Sequence, residues 1–387
     1  MHLSHSIGFA LAWMAGGALL QGESFWYSGP PATMHIGVEV DPPGSTRLDN
    51  QHVDASFVGP ATAAAFALDA VEDDSNLMDV IPLDPESFHP YANPTTRRTF
   101  FSSFEGAGFD FLGLSDGQTY WELPRDPVPG QIFLGVNTYI TASETAIRAD
   151  WNPGLPEASA NVDDKWMAID LIDAQMPPGG QFALYGILFS PMFEFRDAMA
   201  TFDGLDGSDR LYLPASGHDH FLWGFTATGI YTLTFQTSTF LVGGFEEWAA
   251  LEGMSGTSAD FTADMELDGV DAGLEYAIGG SATGLDVGLL PGEGIDNNQP
   301  VLYVTLPFGI PEPGRYDILY EVLAFDALND TPTVIARKSG NGSWENLSAT
   351  VTVHEHLRNH TTYAVTDAVA LASPANRFLQ LRVTRLE

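Results

Sequence analysis

The sequence predicts a mainly β chain: a β-sandwich or jelly-roll-like N-terminal domain, a short helical joint and a small C-terminal β-domain. Three observations carry this. Short segments rich in aromatic and β-branched residues recur between Gly, Pro and Asp turns. Apolar residues in those segments alternate with polar ones, as in half-buried strands. Near residue 245 the apolar spacing switches to a helical period.

In chain order, strands are expected over Ile132 to Ile140, Gln181 to Leu188, Leu222 to Gln236 and Val301 to Leu306. Within the third, Tyr231, Leu233 and Phe235 share one face while Thr232 and Thr234 share the other, so the strand should bury one side against a second sheet. After Gly243-Gly244, Phe245 to Met254 reads as a helix with Phe245, Trp248, Ala249 and Leu251 at helical spacing, and Asp271 to Ile278 as another. Strands return over Tyr316 to Phe325, Ala349 to His356 and Phe378 to Thr384. These elements set expected domains of 23–242, 243–285 and 286–387. Seven of the fifteen basic residues lie between Arg315 and Arg385, a compositional shift that supports the last boundary.

The first 22 residues read as a signal peptide. Ile7 to Leu20 is an apolar run too short to span a membrane comfortably, although His2 and His5 stand where Lys or Arg is usual. No later stretch is long and apolar enough to span, so the expected product is exported, at a bacterial surface or in a periplasm, without an integral anchor. A formal net charge of −36 repels nucleic acid and anionic lipid. It suits solubility or cation binding. With no cysteine, disulfides, thiolate metal sites and a Cys nucleophile are excluded.

Two constellations carry chemistry. In His218-Asp219-His220, strand alternation points both imidazoles to one face, which is half of a site for zinc or another transition metal; a polar strand end with loop-bonded histidines has the same sequence. Further ligands must come from elsewhere, with His35, His52 and His89 as candidates. The same spacing at His354 and His356 reads as a solvated strand face. The second constellation is a Ca²⁺ loop: Asp264, Glu266 and Asp268 at positions one, three and five, Gly269 at the turn, the Val270 carbonyl at seven and Glu275 at twelve. Glu at position three and Ala272 at nine depart from that pattern, and an acidic loop leading into a helix is the alternative. There is no G-x-S-x-G, H-E-x-x-H or Gly-rich phosphate motif, so no catalytic residue is assigned.

Phe111-Leu112-Gly113, Trp121-Glu122-Leu123-Pro124 and Leu134-Gly135 are followed by the turn Asp206-Gly207-x-Asp209. Then come His218-x-His220-x-x-Trp223-x-Phe225 and Gly229-x-Tyr231-x-Leu233-x-Phe235. This succession resembles the "choice-of-anchor M" surface-protein family. The match extends weakly to MHIGVEV around His35, which lacks the family's usual acidic residue, and covers roughly half the chain. The resemblance implies an exported domain, with some relatives associated with metal-uptake transporters, and so a cell-surface or transporter-associated partner. Residues Trp248, Asp268, Gly269, Glu275, Tyr276, Ala277, Arg377 and Phe378 are similar to the C-terminal region of exported verrucomicrobial and planctomycete-type proteins, which implies an accessory module without activity. The expected function is therefore a non-enzymatic surface or periplasmic binding protein. A carbohydrate-active hydrolase using paired carboxylates and a structural matrix or fibre subunit are the alternatives.

Overall fold

Strands dominate because most segments have one apolar face and one polar face at period two, and only a sheet buries the first while solvating or pairing the second. The computed structural model describes residues 24–59, 66–71, 80–102, 109–140, 166–188, 194–214, 217–282, 287–309, 312–327, 330–356, 359–371 and 377–386. The expected signal peptide, 1–22, lies outside them. Two units divide the chain: 27–239, and 240–387 together with the residues up to Trp26. The helical segment expected to be a joint therefore groups with the C-terminal strands.

The first unit holds three sheets. One runs β14 (Arg210–Pro214), β11 (Trp166–Gln175), β17 (Gly229–Val242), β2 (Ala32–Val38), β7 (Phe88–Ala92), β3 (Thr46–Leu48), with β1 (Ser24–Ser28) completing it. The second runs β15 (His218–His220), β10 (Phe133–Ile140), β4 (His52–Gly59), β5 (Phe66–Val71), β6 (Val80–Leu83). The third runs β13 (Glu194–Ala200), β12 (Phe182–Leu188), β16 (Leu222–Phe225), β9 (Thr119–Leu123), β8 (Arg97–Thr99). All three contribute to one core: Ile36, Tyr231 and Phe235 from the first, Val53, Phe57 and Leu134 from the second, Phe182, Trp223 and Phe225 from the third. Each such side chain contributes roughly 1.5–3 kcal/mol by leaving water. The third sheet is covered on its other face too, by a second cluster around Phe109, Phe111, Tyr120 and Tyr185.

Period-two alternation holds where it was read: Tyr231, Leu233 and Phe235 are buried, while Thr232 and Thr234 sit on the other face, Thr234 bonded to Thr33. The expected single strand from Leu222 to Gln236, however, is two. It breaks at 226–228, where the Tyr231 hydroxyl donates to the Ala227 carbonyl and accepts from the Ala227 N–H, and Gly229 at φ +141° lets the chain turn. The DG-x-D turn is closed by its own carboxylates. Asp209 accepts from the Ala200 and Asp206 N–H groups, and Asp206 accepts from Ser208.

In the second unit, β18 (Gly292–Asp296), β19 (Gln299–Pro307), β24 (His360–Asp367) and β23 (Ala349–His356) form one sheet. The other is β22 (Glu345–Asn346), β21 (Thr333–Ser339), β20 (Ile318–Phe325) and β25 (Phe378–Arg385). Helices α1 (Phe245–Leu251) and α2 (Ala272–Ile278) meet through Trp248 and Tyr276, whose rings are 5.5 Å apart. α1 stops before the expected Met254 because Gly253 takes φ +77°. Arg315, fully buried, donates to the Tyr276 and Trp26 carbonyls and lies over the Tyr276 ring.

Across β11 and β14, Arg210 grips the wholly buried Asp170 carboxylate with two bonds of 2.5 and 2.8 Å. Arg210→Met would leave that carboxylate buried without its counter-charge. The expected loss of stability is about 3–5 kcal/mol, read by urea denaturation; a loss below about 1 kcal/mol would contradict the pairing.

Candidate metal centre

The centre forms around a residue with no side chain. In the register of the second sheet, Gly135 on β10 faces Asp54 on β4 on one side and His220 on β15 on the other. Two residues away, Phe133 faces His52, and Asn137 faces His218. Alternation sends Val53, Ala55, Leu134 and Val136 into the core and therefore sends His52, Asp54, His218 and His220 together to the opposite face. A methyl group on Gly135 would lie 2.1 Å from Asp54 Oδ1, 2.8 Å from His220 Cε1 and 3.1 Å from His218 Nε2. Only glycine lets the four side chains converge.

One ligand atom from each of the four lies within 4.8 Å of all the others. The Nε2 atoms of His52 and His218 are 3.2 and 3.1 Å from the same oxygen, Asp54 Oδ1. The His52 and His220 rings are 4.9 Å apart, and those of His218 and His220 4.6 Å. Phe133 stacks on His220 at 3.7 Å with only 7° between the planes, and it also touches His52. An apolar flank thus fixes two of the three imidazoles.

Burial makes this arrangement costly without a cation. Asp54 is wholly inaccessible; its Oδ2 and the Nδ1 of His220 have no hydrogen-bond partner among the described residues. Each such orphan costs about 1–3 kcal/mol. Burial alone would raise the Asp54 pKa, yet hydrogen bonds from His218 and His52 outweigh it and hold the carboxyl at about 2. Burial, with His218 and His52 alongside, pushes His220 down to about 3. At neutral pH the site therefore presents an ionised carboxylate and an uncharged imidazole, the protonation states that bind metal.

Three imidazoles and one carboxylate oxygen fit a borderline cation such as Zn²⁺, Cu²⁺ or Ni²⁺ better than an oxygen-seeking Ca²⁺ or Mg²⁺. Tetrahedral bonds of about 2.0–2.2 Å bring ligand atoms to within roughly 3.5 Å of one another, so small ring rotations complete the shell.

His218, His220 and His52 thus converge as the sequence suggested, but His35 does not join them. It lies on β2 in the first sheet, paired with Thr232, its Nδ1 3.0 Å from the Thr232 hydroxyl. His89 is on β7 of that sheet, held by Ser45 at 2.9 Å and 3.4 Å from Asp41. Both belong to a different sheet from the cluster. His354 and His356 lie on an exposed strand, as expected. The ligand missed in the sequence is Asp54. Its signal was the His52-x-Asp54 spacing, which repeats the alternation of His218-x-His220.

In the other unit, the acidic loop brings together Glu266, Asp268 and Glu275, whose oxygens lie within 4.8 Å of one another. Both Glu266 carboxylate oxygens and Asp268 Oδ2 are buried with no hydrogen-bond partner among the described residues, and Glu275 on α2 is 4% exposed. Asp264 stands outside this group. Its carboxylate closes the loop, accepting from the N–H groups of Asp268 at 3.2 Å and Gly269 at 3.0 Å. Val270 contributes its N–H to Asp268 Oδ1 at 2.8 Å. The Ala272 N–H donates to the Ala263 carbonyl across the base of the loop. A 3-10 turn at Gly256–Ala259 precedes the loop, so a helix flanks it only on the exit side.

No protein-family model, curated protein or solved structure matches this chain.

Two expectations follow. Gly135→Ala should abolish metal uptake at the four-residue centre and cost about 1–3 kcal/mol from overpacking; a titration matching the unsubstituted protein would contradict the geometry. Because the folded His220 pKa lies below its ordinary 6.5, the folded state binds fewer protons than the unfolded one. The metal-free protein should thus lose stability as pH falls below about 6.5, down toward pH 3. Asp54, at about 2 against an ordinary 3.8, adds a loss over the lower window between those values. Urea midpoints against pH should show this slope, and His220→Gln should make it shallower, leaving the share of His360, which burial pushes down to about 4, and of His89, which burial also lowers.

Proposed function

We propose that this chain is an exported binding protein whose N-terminal β-unit holds one transition-metal ion at His52, Asp54, His218 and His220. The observation that carries the reading is the pair of orphaned buried atoms, Asp54 Oδ2 and His220 Nδ1, in a cluster with two further imidazoles. Four protein ligands complete a tetrahedral shell and leave no position for water or substrate, as in sites that hold a metal rather than use it in catalysis. The centre lies at β15, an edge strand, with His218 and His220 partly exposed; that suits loading and release of an ion. Export is supported by the apolar run Ile7 to Leu20, and a transporter-associated partner by the resemblance to surface proteins of that kind. No helix among the described residues is long and apolar enough to cross a membrane. In the second unit, Glu266, Asp268 and Glu275 form an oxygen-only set that suits Ca²⁺, with Asp264 shaping the loop.

Elemental analysis of the purified protein should find about one zinc, copper or nickel per chain, removed by a chelator with a fall in Tm. At 100 times its Kd such an ion adds about 2.7 kcal/mol of stability. The double variant His52→Ala/His218→Ala should hold none. Ca²⁺ should raise the Tm of the chelated protein, and Glu275→Gln should remove that response. Absence of any bound transition metal, with no Tm change when ions are restored, would overturn the reading.

A further inference from the structure

At one end of the third sheet, a different sheet from the one that carries the metal ligands, the first unit has a cavity of about 230 Å³. Its wall includes Phe202, Gly113, Leu112, Gln118, Gln181 and Thr226. No charged side chain lines it among the described residues, a contrast with a chain of net charge −36.

Phe202 is 52% exposed, one of several large apolar side chains of this unit that reach solvent, Phe101 at 47% among them. It is not loose. Gly113, at φ +61°, takes the ring directly against its backbone: a methyl group there would lie 2.1 Å from Phe202 Cε2. Part of the ring is seated on the glycine and the rest is left to solvent. Around it the polar groups are oriented. Gln181 Oε1 accepts from the Thr201 hydroxyl at 2.7 Å, and Gln118 Oε1 accepts from the Ser115 N–H, so each carboxamide keeps its NH₂ as a donor. The Thr226 hydroxyl is held by the Gln181 N–H at 2.7 Å.

A seated aromatic ring beside fixed, uncharged amide donors and a hydroxyl is the chemistry that recognises a neutral sugar. The weakly positive C–H face of a pyranose lies on the negative face of the ring, and its hydroxyls meet the amides. The volume is below the 300–1,000 Å³ of drug-sized pockets, which fits a single ring and not an extended chain. An anionic sugar finds no cation here. We propose that this pocket binds one neutral pyranose residue, presented at the end or on a branch of a polysaccharide. The inference is independent of the metal reading, since it uses none of the same residues.

Affinity electrophoresis in gels containing galactomannan, xyloglucan or dextran tests it, with polygalacturonate as the anionic comparison. The protein should be retarded by at least one neutral polymer and not by polygalacturonate. Phe202→Ala should weaken that retardation at least tenfold with Tm unchanged, because the ring is half exposed. Gln181→Met should weaken it as well. Retardation by none of the neutral polymers, retardation by polygalacturonate alone, or equal retardation of Phe202→Ala would overturn the proposal.

Discussion

A carboxylate placed on a sheet with no access to water must be met by positive charge or by enough donors, and Asp54 sits under that constraint. Its Oδ1 is approached by two imidazoles, its Oδ2 by no partner among the described residues, and the third imidazole keeps a buried nitrogen without one. Many features of the second sheet accommodate this cluster. The parallel pairing of β4 with β10 aligns Asp54 with Gly135, and the antiparallel pairing of β15 with β10 brings His220 to the same row. On the opposite face, Val53, Ala55, Leu134 and Val136 anchor those strands in the core, and Trp223 donates to the Leu134 carbonyl. The hydrophobic core thus holds the rigid side of a sheet whose other side concentrates ligands.

The scarcity of cations in this chain gives the same picture from another direction. With fifteen Lys and Arg against fifty-one Asp and Glu, basic residues are spent on individual carboxylates. Arg210 neutralises the buried Asp170, Arg377 the buried Asp367, and Arg97 binds Glu39, which also accepts from the Trp121 indole. Arg315 is committed to backbone carbonyls. Among the described residues, none of these guanidiniums forms an ion pair with Asp54, Glu266 or Asp268. The two clusters differ in their donors, nitrogen-rich in one and all oxygen in the other.

Much of this was legible in the sequence, for reasons that separate local from non-local information. Alternation at Tyr231, Leu233 and Phe235 and at His218 and His220 is a property of a single strand, so it could be read directly. The helix at Trp248 and that at Tyr276 have the same local origin. For Asp54 the sequence carried only the His52-x-Asp54 spacing, because its meeting with His218 depends on β4 pairing in parallel with β10 across roughly eighty residues of chain. His35 and His89 looked equivalent to His52 for the same reason; only sheet assignment separates them. The break at 226–228 was hidden because Gly229 and the Tyr231 hydroxyl, not any loss of β propensity, make the turn. Likewise Glu266 replaces Asp in the acidic loop, and only the fold shows its longer side chain reaching the neighbourhood of Glu275 on α2.

The central claim is that one face of one sheet supplies an imidazole-rich metal shell. X-ray absorption at the edge of the bound metal tests it most directly, because the outer-shell scattering of imidazole counts histidine ligands. The account predicts three histidines and one oxygen at about 2.0–2.2 Å with no sulfur. A shell of six oxygens, or one with a single histidine or none, would contradict it.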